Sequence, residues 1–230
     1  MAYTYPPATA NRPVSIIGPQ FCAPHPVELA VIRNVKTITD GEFVFTDING
    51  NILFKVKDQS GSFSMHDRQV LIDASGNPIV TLKDKLMSAR DRWQVFRGDS
   101  TDSRDLIFSA RTSMFHLKTK LDVFLGNNTK EDVCDFKVKG SWSKKSCVIY
   151  AGETSTIVAQ MHKNHTVQNV LAGNDEFMVT VNPDVDYAFI VALIVILGIH
   201  AAAMPGGMTE QVAAGSVSGV VEGSMAFFLG

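Results

Sequence analysis

Between residue 28 and about residue 182 the chain is a succession of short apolar runs broken by turn residues, and few stretches suit a long helix. Phe43 to Lys57, F-V-F-T-D-I-N-G-N-I-L-F-K-V-K, reads as strand, tight turn and strand. Asp47, Asn49 and Gly50 bring the side-chain hydrogen bonding and positive φ that such a turn requires. Val70 to Lys83 repeats the design with Asp73, Gly76 and Asn77. Two such hairpins in succession predict an antiparallel meander. Further strands are predicted at Trp93–Arg97, Asp105–Ser109, Leu121–Leu125, Cys134–Val138, Ser146–Tyr150, Thr156–Met161 and Phe177–Val181, with glycine and asparagine between them. Residues 1–27 hold six of the nine prolines and read as a Pro-rich, flexible arm.

The pattern changes at D-V-D-Y-A-F-I-V-A-L-I-V-I-L-G-I-H, Asp184 to His200. From Ala188 to Ile199 no side chain is polar, a run of twelve residues, whereas a helix spanning a bilayer needs about twenty. β-Branched residues such as Val191, Ile194, Val195 and Ile196 make a strand the local competitor. The unbroken length, Asp184 and Asp186 at the N-terminal turn and Gly198 near the end favour a helix over about 186–198. A helix apolar on every face must be buried somewhere, and strands that close into a barrel leave an interior to be filled. A helix through the middle of a barrel answers both needs.

Composition adds less. An apolar share of 45% with 19% charged residues describes a foldable chain, and the net charge of −2 gives no overall bias toward nucleic acid. The charge is uneven, since Val80 to Lys145 holds 14 Lys and Arg against 9 Asp and Glu. A locally basic surface suits an anion such as a phosphorylated headgroup. Cys22, Cys134 and Cys147 are too few and too scattered for a disulfide framework, and the N-terminus has neither a signal-peptide core nor the glycine that myristoylation requires. A cytoplasmic protein is expected.

No nucleotide-binding, hydrolase or metalloprotease motif stands in the chain. His162 and His165 have metal-like spacing without a third ligand, and His66 is a lone histidine beside charge. Cys147 reads as a small buried hydrophobe, and Trp93 and Trp142 as structural. A calcium loop starting at Asp184 needs glycine and glutamate at its sixth and twelfth positions, where Phe189 and Val195 stand. No enzyme, cofactor or metal site is expected. Arg90 to Arg97 interleaves basic and aromatic residues, but strand alternation splits its aromatics between two faces, so nucleic acid is not the expected partner.

Several stretches taken together resemble the plant LURP-one-related family: I-T-D-G-E-F-V-F-T-D-I-N-G-N-I-L-F-K-V-K, D-R-W-Q-V-F-R-G, K-T-K-L-D-V-F-L-G, C-D-F-K-V-K-G-S-W, C-V-I-Y-A-G-E and N-P-D-V-D-Y-A-F-I-V-A-L-I-V-I-L. The resemblance runs from about Phe21 to Leu197. It implies a mainly β, tubby C-terminal-like fold over residues 28–200: a closed antiparallel twelve-stranded β-barrel enclosing a hydrophobic C-terminal α-helix. It also implies kinship with phospholipid scramblases and a link to plant defence. Tubby proteins dock phosphoinositides through basic residues on the barrel and can move to the nucleus, which here implies anionic headgroups as partners, a peripheral pool at the plasma membrane and a nuclear pool. No tubby lipid-site pattern aligns residue by residue.

What the chain offers instead is a set of lysines: Lys118 with Lys120, Lys137 with Lys139, then Lys144 and Lys145. Residues i and i+2 of a strand share a face, so Lys137 and Lys139 are expected to point outward together while Phe136 and Val138 point inward. The competing function is a soluble protein-interaction or transcription-regulatory module without lipid binding, using the Pro6-Pro7 and Pro24-His25-Pro26 pieces of the arm toward unidentified protein partners. Residues 201–230 are rich in small residues, with Gly215, Gly219 and Gly223 at helical spacing. A membrane hairpin there conflicts with Glu222 and would take the barrel's central helix away, so a poorly ordered tail is expected.

Overall fold

The computed structural model describes residues 13–34, 43–59, 68–85, 92–115, 118–163 and 174–203. Twelve strands run in chain order: β1 Val27–Asn34, β2 Phe43–Thr46, β3 Ile52–Asp58, β4 Arg68–Asp73, β5 Pro78–Asp84, β6 Arg92–Arg97, β7 Leu106–Phe115, β8 Lys118–Leu125, β9 Phe136–Gly140, β10 Val148–Ala151, β11 Ile157–Lys163 and β12 Asn174–Val181. Each pairs antiparallel with its neighbour in sequence, and β1 closes the barrel on β12 from Val27 opposite Val181 to Asn34 opposite Asn174. This is the closed twelve-stranded barrel that the family resemblance implies.

The two predicted hairpins form by the predicted chemistry. The Asp47 carboxylate accepts the backbone N–H of Asn49 and of Asn51, each at 2.8 Å, and Gly50 has φ 83°. Asp73 accepts from the Asn77 N–H at 2.8 Å, and Gly76 has φ 89°. Other strand limits differ in instructive ways. Cys134 and Asp135 precede β9 rather than opening it, because the Asp135 carboxylate is turned to accept Leu125 N–H and the Asn128 amide. β1, which the apolar pattern does not announce, is the strand that completes closure.

Inside the barrel lies α1, Tyr187–Ala203. Every residue from Ala188 to Leu197 is at most 1% exposed, so the helix is wrapped on all sides, as a helix without a polar face must be. Phe189 meets Phe108 and Phe136 at ring-centroid distances of 5.2 and 4.8 Å. The helix runs past the expected residue 198. Gly198 does not end it but makes room, since a Cβ there would stand 2.2 Å from Cζ of Phe43 and 3.1 Å from the Trp142 indole. Among the described residues no helix is long and apolar enough to cross a membrane.

Residues 13–26 correct the expectation of a flexible arm reaching residue 27. Asp186, fully buried, caps the helix: its Oδ1 accepts the N–H of Phe189 at 3.0 Å. Its Oδ2 accepts three further backbone N–H groups, from Ile16 at 3.0 Å, Ile17 at 2.7 Å and Gly18 at 3.0 Å. Val14 exchanges backbone hydrogen bonds with Asp184 and Asp186, and Arg97 donates to the Ile17 carbonyl at 2.8 Å. Phe21 packs against Phe54 and Tyr187. The segment is a strap over the barrel mouth at which the helix begins. Asp184, expected as a second dipole partner, instead takes φ 61° and spends its amide on Ala23 and its carbonyl on Val14.

Four amides depend on one buried carboxylate, and each buried N–H left without an acceptor costs about 1–3 kcal/mol. Asp186→Ala is therefore expected to lower stability by about 3–5 kcal/mol, read as a fall in the urea midpoint at unchanged m-value. A loss below about 1 kcal/mol would show that the strap is not fastened there.

Candidate anion-binding surface on strands β6 to β10

The helix occupies the barrel interior, and the strands carry their charged side chains on the outer face. Strand register orders the outer face into rows: Arg92 stands opposite Arg111, Arg111 opposite Asp122, Asp122 opposite Lys137, and Lys137 opposite Tyr150. In the next row Lys120 stands opposite Lys139.

The six lysines expected as a site are not equivalent. Lys118 lies on β8, and its side chain is outside the described residues. Lys120 is 48% exposed and pairs with Asp122 on its own strand at 2.8 Å. Lys137 shares the outer side of β9 with Lys139, as predicted, but it lies flat, 8% exposed, and donates to Glu153. That hydrogen bond raises the Lys137 ammonium above its ordinary pKa and holds the Glu153 carboxyl below its own. Lys139 is exposed, its ammonium 5.9 Å from the Tyr150 ring centre. Lys144 is exposed. Lys145, with φ 51°, folds over the Trp142 and Phe177 rings at 4.6 and 4.8 Å and is buried. Alternation gives the side of a strand correctly; it does not say which cations are already engaged. Lys120, Lys139 and Lys144 are left with exposed heads.

The same face holds a cluster that sequence reasoning missed. Glu131, in the β8–β9 loop, receives the guanidinium of Arg92 on one carboxylate oxygen and that of Arg111 on the other. Ser109 Oγ donates to the same oxygen as Arg92, at 3.2 Å. The guanidinium of Arg111 lies over the Phe124 ring, 4.8 Å from its centre. The only signal for this arrangement was Arg92 in R-D-R-W-Q-V-F-R, whose partners Arg111 and Glu131 lie 19 and 39 residues further on.

Elsewhere, Lys55, Lys57 and Asp73 border an open groove of about 300 Å³ between β3 and β4. Among the described residues no three His, Cys, Asp or Glu are placed to hold a metal ion; His66 and His165 lie outside those residues.

The fold is a closed antiparallel β-barrel wrapped around its own C-terminal helix, with charged side chains in rows on the outer face of β6 to β10. The comparisons then place the chain: it belongs to the LURP-one-related family, whose sequence pattern matches residues 27–198. It is similar to protein LURP-one-related 15 of Arabidopsis thaliana, 56% identical over 203 residues that cover 85% of this chain and 93% of the relative. It is similar also to protein LURP1 of the same plant, 50% identical over 188 residues, covering 81% and 90%. A crystal structure of an Arabidopsis thaliana protein matches with a TM-score of 0.64 and 49% identity, over 80% of this chain and 97% of that one.

The thiols give a check on the packing beneath this surface. Burial pushes the pKa of Cys147 up to about 11 and that of Cys134 likewise, the latter with help from its hydrogen bond to Glu153. Because a raised value favours the neutral thiol, the fold gains from both groups below their unfolded value of about 8.5 and loses that gain as pH rises toward 11. At pH 8 iodoacetamide is expected to label neither in the native protein and both in urea. Native labelling of either at the rate of a free thiol would contradict the packing described.

Proposed function

We propose that this LURP-one-related protein is a non-catalytic, reversible membrane-surface adaptor, working in the plant defence setting that the family resemblance implies and docking anionic, phosphorylated headgroups. The observation that carries the reading is the outward pairing of Lys120 with Lys139, with Lys144 in the turn that follows β9. Like charges directly opposite on neighbouring strands are unfavourable by themselves, and an anion laid between them removes the repulsion. Each lysine near an anionic surface contributes about 1 kcal/mol, so three give a partition gain of roughly a hundredfold. That is enough for docking that salt reverses and too little for a permanent anchor. Asp122 partly offsets Lys120, which keeps the interaction weak.

The expected result is co-sedimentation with phosphoinositide vesicles at low salt, with release at high salt. Replacing Lys120, Lys139 and Lys144 together by Ala is expected to reduce binding by about a hundredfold, while Lys145→Ala lowers stability and leaves binding within about threefold, since its ammonium faces Trp142 and Phe177. Absence of pelleting under all conditions would shift the reading to a soluble protein-interaction module. Binding that survives the triple substitution would remove these lysines from the site.

A further inference from the structure

The Glu131 cluster behaves as an anion site that the chain fills itself. Arg92 and Arg111 are directly opposed on β6 and β7, an arrangement that two cations resist unless an anion lies between them. Their side chains are 24% and 28% exposed, so the pair is shielded but reachable from outside. Arg111 is fixed by the Phe124 ring, and Arg92 is fixed by donating to Ser109 Oγ at 3.0 Å. Two oriented guanidinium groups and a hydroxyl form the donor set that recognises a planar or tetrahedral oxyanion.

Two features set Glu131 apart from an ordinary ion-pair partner. It occupies the left-handed backbone region at φ 54°, which a residue with a side chain adopts only at a cost. Its N–H is held there by Asn128 Oδ1 at 3.1 Å, in a loop whose tip, Lys130, Asp132 and Val133, is exposed. Moreover, the carboxylate does not satisfy the cradle: Arg92 Nε is buried and has no acceptor among the described residues. A buried donor without a partner is uncommon. A carboxylate brings two oxygens to the cradle, whereas a phosphate brings three or four, so a phosphate has an oxygen to spare for Nε–H.

We propose that Arg92, Arg111 and Ser109 form a phosphate-binding site, and that the β8–β9 loop closes it in the free protein by inserting the Glu131 carboxylate as an internal mimic of the ligand. A phosphate group, whether inorganic phosphate or the monoester on a phosphoinositide headgroup, competes with Glu131 and displaces the loop tip. The site is separate from the three exposed lysines, and does not depend on them.

Titration with inorganic phosphate tests this by calorimetry and by thermal shift, on the full chain. Glu131→Gln keeps the shape of the plug and weakens its hold, and it is expected to tighten phosphate binding at least tenfold and to make the melting temperature rise more steeply with phosphate than in the unaltered protein. Glu131→Ala serves as a second opened variant and is expected to behave likewise. Arg92→Ala with Arg111→Ala in the Glu131→Gln background is expected to abolish the gain, whereas Lys120, Lys139 and Lys144 replaced by Ala keep it. A parallel arm with phosphoinositide vesicles identifies the source of the anion: a Glu131→Gln gain on vesicles assigns a headgroup, and a gain confined to free phosphate assigns a small soluble anion. If both Glu131 variants bind phosphate no better than the unaltered protein, or only lose stability that phosphate does not restore, the cluster is a structural latch and the proposal is overturned.

Discussion

A helix that is apolar all the way round has no stable place at a surface, and everything else in this molecule follows from giving α1 an apolar wall on every side. Twelve short antiparallel strands supply that wall. Their inward residues, among them Phe45, Phe54, Phe108, Leu121, Val138 and Phe177, form one continuous apolar core with the helix. Closure of β1 on β12 removes sheet edges, and the helix removes the void that a barrel of this circumference would otherwise enclose. Phe43 and Trp142 come so close to the helix that only a glycine fits at residue 198. The helix, buried from Ala188 to Leu197, occupies the space inside the wall, and the charged residues of the candidate site lie on the outer face and in the loops.

The helix also brings a problem of its own, since its first N–H groups emerge inside a nonpolar enclosure. One carboxylate resolves this and more. Asp186 caps the helix through one oxygen and gathers three consecutive amides of the N-terminal strap through the other. Burying a carboxylate is costly without hydrogen bonds, and here they come from two segments about 170 residues apart in sequence. The strap thereby becomes part of the barrel, and Phe21 and Ile17 become part of its core.

What the sequence discloses about this fold depends on the range of the interaction. The Asp47–Gly50 and Asp73–Asn77 turns are legible because the groups that make them are four or fewer residues apart. The helix is legible because burial on all sides writes an unbroken apolar run. The strap is not, since its prolines resemble those of a mobile arm and its anchor, Asp186, lies at the other end of the chain. The candidate site divides in the same way. Alternation places Lys120, Lys137 and Lys139 on the outer face, but Lys137 is claimed by Glu153 from a turn 16 residues on and Lys145 by the Trp142 and Phe177 rings. Arg92 and Arg111 gain their meaning only from Glu131, a residue whose neighbours in sequence give no hint of where its side chain goes.

The outer face carries cations engaged to different degrees, from the buried Lys137 to the exposed Lys120, Lys139 and Lys144, and the docking we propose uses the exposed ones without insertion. That reading requires the helix to stay inside whether or not a membrane is present. Hydrogen exchange of the Val191–Leu197 amides, followed with and without phosphoinositide vesicles, tests it most directly. These amides are expected to exchange only through global unfolding, at the same rate in both samples. Exchange that becomes faster on vesicles, through an opening well below the global unfolding free energy, would mean that the barrel releases its helix to the bilayer and that the enclosed-helix description is wrong for the bound state.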